Sequence, residues 1–151
     1  MSVFWATIGV ARAEDFCTSI DDLIEQSRSQ FVDITGLPKD QSGDHDATLT
    51  LAGASYCAVT KRSKRSLYHC GWEFPHRAEQ AYETFDAFVE AAHDCIGPQA
   101  TVHSDQGVNH PDFYDARRFE MKEAEVSVSV KDKGALGRTF VFIRVRSKAR
   151  K

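Results

Sequence analysis

Between His76 and Ile96 the apolar residues Ala78, Ala81, Tyr82, Phe85, Phe88, Val89, Ala92, Cys95 and Ile96 recur three or four positions apart. Glu79, Glu83, Asp86, Glu90 and Asp94 fill the positions between them. This spacing places the two sets on opposite sides of a helix. Pro75 stands where a first-turn proline is tolerated, and Gly97 followed by Pro98 reads as a left-handed stop and a residue that cannot continue the helix. An amphipathic helix with both ends marked needs an apolar surface to cover, and the flanking sequence reads as β-structure.

Upstream, Ser19 with Asp22 three residues later is a capping pattern, and Phe16, Ile20, Leu23, Ile24 and Phe31 fall near one helical stripe. A first helix is expected over about 19–32, ended by Gly36 and Pro38, with an exposed polar loop over 39–46. From Ala47 to Phe74 the period becomes two. Strands are expected over 48–51, 55–60 and 67–74, the last two forming a hairpin around Lys61, Arg62, Ser63, Lys64, Arg65 and Ser66. Tyr68, Cys70, Trp72 and Phe74 share one face of the last strand.

The stretch from Gln99 to Asp115 shows no period and reads as an irregular loop. Strands follow over about 117–122, 125–131 and 138–146. In the middle one Val126, Val128 and Val130 alternate with Ser127 and Ser129, a pattern for one dry face and one wet face. Asp132, Lys133, Gly134 and Gly137 mark the next turn. Phe140, Val141, Phe142 and Ile143 then run without a polar break, as in a central strand covered on both faces. The order α-βββ-α-βββ with short connections predicts an α+β two-layer sandwich, an antiparallel sheet with two amphipathic helices on one face. Small bacterial inhibitors, immunity proteins and secretion chaperones share this general look, and no residue motif here selects among them.

Composition adds bounds. At 151 residues, 42% hydrophobic and 27% charged, the chain fits one globular domain. A formal net charge of -3 makes nucleic acid an unexpected partner, and no apolar run is long enough to span a membrane. The segment Val3 to Val10 followed by Ala11, Arg12 and Ala13 resembles the end of a secretory signal peptide, so residues 1–13 are expected to be cleaved and the mature domain to occupy 14–146, with a basic tail at 147–151. Met1 and Ser2 lack the usual basic region, which would put the true start upstream. The competing reading is a buried first strand. Loss of Arg12 would leave 22 acidic against 18 basic residues, a net charge of -4.

All four cysteines, Cys17, Cys57, Cys70 and Cys95, follow the expected cleavage point, and an even count fits two disulfides in an oxidising compartment, the periplasm or outside the cell. A hairpin closing symmetrically about its tip opposes Cys57 to Cys70, which leaves Cys17 to Cys95. Cys70 with Cys95 is the rival, because both point at the core.

Candidate chemistry is sparse. His103, Asp105, His110 and Asp112 offer weak metal-ligating or general-base potential, without any zinc-site spacing. There is no nucleophile elbow, phosphate-binding loop or cofactor motif. The remaining signal is basic: Lys61, Arg62, Lys64 and Arg65 at the hairpin tip, and Arg144 and Arg146 in the last strand. Charge sorted this way in an acidic chain fits contact with an acidic protein, and it also fits protection of strand edges from aggregation. The sequence therefore favours an exported, non-enzymatic binding protein such as an inhibitor or immunity protein. The alternatives are a small metal-dependent hydrolase built on 103–112 and a cytosolic chaperone-like dimer with reduced cysteines.

Overall fold

In the computed structural model, which describes residues 7–109 and 112–148, the chain runs through two similar halves. Helix α1 (Thr7–Ser27) precedes strands β1 (Thr35–Pro38), β2 (Asp44–Ala47), β3 (Tyr56–Thr60) and β4 (Leu67–Pro75). Helix α2 (Glu79–Ile96) precedes β5 (Thr101–Asn109), β6 (Asp112–Glu120), β7 (Ala124–Lys133) and β8 (Arg138–Ser147). The strands form one sheet in the order β1-β2-β3-β4-β8-β7-β6-β5, antiparallel at every step. Each half is thus a four-stranded meander, and the two join where β4 pairs along its whole length with β8. This is an α+β two-layer sandwich, with four strands in each half where three were expected.

The helices pack on each other and on the centre of the sheet: α1 on β8, and α2 on β4, β7 and β8. Directly opposite residues of antiparallel strands share a face. The register therefore defines a covered face made of Cys57 and Val59, Tyr68, Cys70 and Trp72, Val141, Ile143 and Val145, and Val126, Val128 and Val130. All of these are buried, with Ile20 and Leu23 from α1 and Ala81, Phe85, Ala92 and Ile96 from α2. Phe16 of α1 stacks on Phe88 of α2, and Phe88 in turn meets Trp72 of β4, which ties the two helices to the sheet through aromatic contacts.

Two disulfides complete the framework, and all four cysteines are paired. Cys17 and Cys95 join α1 to the end of α2, with Cα atoms 5.4 Å apart. Cys57 and Cys70 lie directly opposite each other in β3 and β4, with Cα atoms 4.1 Å apart. In the chain-entropy picture the long loop closed by the first is worth about 4.5 kcal/mol and the short hairpin loop about 3 kcal/mol.

Several local expectations are corrected. The first helix spans Thr7–Ser27, so the Ser19 and Asp22 pair lies inside it and caps nothing. Residues 7–13 of the expected signal segment are helical; residues 1–6 lie outside the described part. The apolar stripe suggested helix as far as Val32, but Gln30 and Phe31 both take left-handed backbone angles, φ 57° and 60°. Tertiary contacts hold that reversal. The Gln30 carbonyl accepts Lys61 Nζ at 2.5 Å, its Oε1 accepts Ser66 N and Ser147 Oγ at 2.9 and 2.7 Å, and the Phe31 ring is fully buried near Tyr68.

Residues 48–51 form no strand, Gly36 and Pro38, expected to end the first helix, lie in β1, and the end of the polar segment expected as loop, 44–46, belongs to β2. Likewise 99–115 is mostly β5 and β6. Pro75 ends β4 instead of opening α2, and Gly97 is right-handed, φ -51°, so α2 runs into a 3-10 turn over Gly97–Gln99. The strand β8 is central, but helices cover only one of its faces.

Candidate functional site: the helix-free face of the sheet

The face opposite the helices carries, by register, Tyr56, Ala58 and Thr60 of β3; Leu67, His69, Gly71 and Glu73 of β4; Arg138, Phe140, Phe142, Arg144 and Arg146 of β8; and Ser127, Ser129, Lys131 and Lys133 of β7. Its floor is aromatic. Phe140 and Phe142, two residues apart on β8, stack with centroids 5.6 Å apart and planes 8° from parallel. Phe142 is only 8% exposed although no helix covers it, because side chains of the same face close over it. The Arg144 guanidinium lies 4.6 Å from its ring centroid, and Lys133 Nζ stands 5.8 Å from the Phe140 centroid. Next to Phe142 across the β4–β8 pair is Gly71, whose missing side chain leaves room for the Tyr56 ring; a Cβ there would collide with it.

Charge on this face is sorted. Glu73 pairs with Arg138 at 3.0 Å, Glu125 with Arg118 at 3.2 Å, and Asp46 with Lys39 at 3.7 Å. Among the described residues, Lys131, Lys133, Arg144 and Arg146 have no carboxylate partner. They follow the neighbouring strands β7 and β8 from one end of the sheet to the other. Arg146 is opposite Leu67, the first residue after the hairpin tip, so the strip continues into exposed Arg62, Lys64 and Arg65. Lys61 is different: it is half-buried, its ammonium is spent on the Gln30 carbonyl, and burial lowers its pKa.

Beside Arg144 a polar chain crosses three strands. The Thr60 hydroxyl donates to Asp44 Oδ1 at 2.5 Å, and Thr60 Oγ1 lies 3.0 Å from His69 Nε2. With its own proton given to Asp44, the Thr60 oxygen must accept from His69, which fixes the Nε2–H tautomer and leaves Nδ1 as the basic nitrogen. Burial lowers the His69 pKa; Asp44 opposes this, while Arg144 and Lys39 add to it. The Tyr56 ring meets the imidazole edge-on, and burial raises the Tyr56 pKa. The structure thus brings Arg144 together with His69, Tyr56, Thr60 and Asp44. In the sequence His69 is one histidine in an alternating strand whose hairpin partner carries Tyr56 and Thr60, whereas Asp44 and Arg144 come from strands whose pairing the sequence does not display.

The weak metal candidates do not converge. His103 and Asp105 lie on edge strand β5, opposite Arg118 and Ala116, with His103 Nε2 3.6 Å from Glu120. Asp112 Oδ1 accepts the Gly134 N–H at 2.9 Å, and His110 lies outside the described residues. Among the described residues no three His, Cys, Asp or Glu side chains are grouped to hold a metal ion.

A second polar cluster closes the opposite end of the covered face. Asp132, 1% exposed, accepts Tyr82 Oη at 2.7 Å and Thr139 Oγ1 at 2.8 Å, and stands 3.8 Å from Arg77 Nε. Thr139 Oγ1 also accepts the Arg77 N–H, which fastens the left-handed turn at Arg77, φ 58°, to β8. Burial and the Asp132 carboxylate push the Tyr82 phenol up to about 12. Every polar atom of this clasp is answered within the fold, as expected of a structural joint.

Comparison with protein-family models, curated proteins and solved structures finds no match to this chain. No helix among the described residues is long and apolar enough to cross a membrane.

Proposed function

We propose that this is an exported, non-enzymatic binding protein that holds an acidic segment of another protein against the helix-free face of its sheet. The observation that carries this reading is the strip of Lys131, Lys133, Arg144 and Arg146, cations without carboxylate partners among the described residues, of which Lys133 and Arg144 stand over an aromatic floor, in a chain whose net charge is -3. An acidic chain that concentrates its unpaired positive charge on one face gains both steering and register for an acidic partner. An inhibitor or immunity protein, which must cover an anionic surface on its target, fits this arrangement. Two disulfides are compatible with the periplasm or the extracellular space.

Polyglutamate is a suitable first probe. The oxidised wild-type chain is expected to bind it at low ionic strength and to release it as salt rises, because exposed charge pairs are screened. A Lys131→Gln/Lys133→Gln/Arg146→Gln variant should lose most of that binding with an unchanged circular dichroism spectrum. Equal binding by the variant and the wild type would remove the strip from the account.

A further inference from the structure

We infer that Arg144 is a carboxylate clamp within this face and that His69 couples its occupation to proton uptake. The inference rests on the proposed binding of an acidic segment and adds which residue grips it and how pH controls the grip.

The geometry of Arg144 is the first argument. A guanidinium stacked on an aromatic ring keeps its edge N–H groups free to meet a carboxylate in a two-point hydrogen bond, and it loses little further freedom on binding. Arg144 is half-buried over Phe142 and has no carboxylate partner among the described residues. The polar groups around it are already committed: Thr60 to Asp44, and His69 Nε2 to Thr60. The positive charge of Arg144 is what this neighbourhood leaves unanswered.

The same stacking decides between two classes of polyanion. A sheet with aromatic residues at alternate positions and flanking cations also suits single-stranded nucleic acid, which binds by laying bases on exposed ring faces. Here Arg144 lies over Phe142, Lys133 stands over Phe140, and the two rings stack on each other. The rings act as a floor beneath the cations, which favours an acidic peptide segment over stacked bases.

His69 supplies the coupling. The groups that face it are Asp44 from β2, Thr60 and Tyr56 from β3, Arg144 from β8, and Lys39 following β1. Burial and the two cations hold the imidazole neutral against the pull of Asp44. A carboxylate seated on Arg144 cancels the nearest positive charge and adds a negative one, so His69 takes up a proton when the segment binds. By linkage, affinity rises as pH falls.

The test uses the full oxidised chain and a short labelled peptide of alternating glutamate and alanine, followed by fluorescence anisotropy near pH 6 and near pH 8. The peptide should bind more tightly at the lower pH. Arg144→Gln should weaken binding by about tenfold or more, and Arg144→Lys should not restore it, because an ammonium cannot form the two-point contact. His69→Gln should bind the peptide with nearly equal affinity at both pH values. In the wild-type chain, NMR of the His69 imidazole should show a higher titration midpoint with peptide than without, a readout independent of how any variant folds. An unmoved midpoint, or unchanged binding by Arg144→Gln, overturns the clamp. Binding that survives Arg144→Gln but is lost in the Lys131→Gln/Lys133→Gln/Arg146→Gln variant overturns the clamp and leaves the strip standing. Peptide binding absent throughout overturns both. Tighter binding of an oligothymidylate of the same length would reassign the face to nucleic acid.

Discussion

A histidine held below its ordinary pKa by burial leaves a mark on stability as well as on binding. The His69 ring is neutral in the folded chain at pH values where an unfolded histidine, with its midpoint near 6.5, is already taking up protons. Between that value and the lower folded one the unfolded state binds more protons, so stability is fully present above about pH 6.5 and falls as pH drops through the window. Chemical denaturation of wild-type and His69→Gln chains between roughly pH 5 and pH 8 should therefore show a downward step in wild type that the variant lacks. Identical pH profiles would mean that His69 is not held neutral by its surroundings. The alternation of the strand puts His69 on the face opposite Trp72 but does not show the partners it meets there. Its environment is assembled from Asp44, Thr60, Tyr56 and Arg144, which lie as many as a hundred positions apart and meet only through the strand pairing.

At the level of elements, legibility followed coverage. The helix α2, the hairpin β3–β4 and the valine strand β7 bury one face against something apolar and expose the other, so their periods were plain in the sequence. Strand β6 is met by α2, His93 against Phe119 and Phe85 against Arg117, and β5 lies beyond it at the sheet edge. Ser104 and Gln106 face the helix side there without a covering layer, and the Asp115–Arg117 ion pair occupies positions where an apolar residue would have shown the alternation. With polar residues at these helix-side positions, the segment looked like loop. The four-residue strands β1 and β2 were hidden for the same reason. The cysteines were more legible, because a symmetric hairpin tip opposes Cys57 to Cys70 by counting alone, and the register does oppose them. Expressed with its native upstream region, the exported protein should begin at Glu14 by intact mass and yield no alkylated thiol until it is reduced. A chain retaining residues 1–13 with four alkylatable cysteines would contradict export. Cleavage there would shorten α1 but keep Phe16, Cys17, Ile20 and Leu23, the residues that hold it to α2 and the core.

For the whole molecule, the layer arrangement is what creates a functional face. Two helices over the centre of an eight-stranded sheet leave its other side bare, and a bare face with an apolar centre is an aggregation hazard unless it is charged or occupied. Laying cations over the Phe140–Phe142 floor answers the hazard and at the same time makes a surface for acidic partners. The most direct test is zero-length carbodiimide cross-linking of the oxidised chain to polyglutamate, which joins a carboxylate to a lysine only where the two touch. Peptide mapping should find the links at Lys131 and Lys133, with Lys64 at the hairpin tip. Links confined to Lys122 and Lys148, or spread evenly over every lysine, would contradict the assignment of the helix-free face as the binding surface.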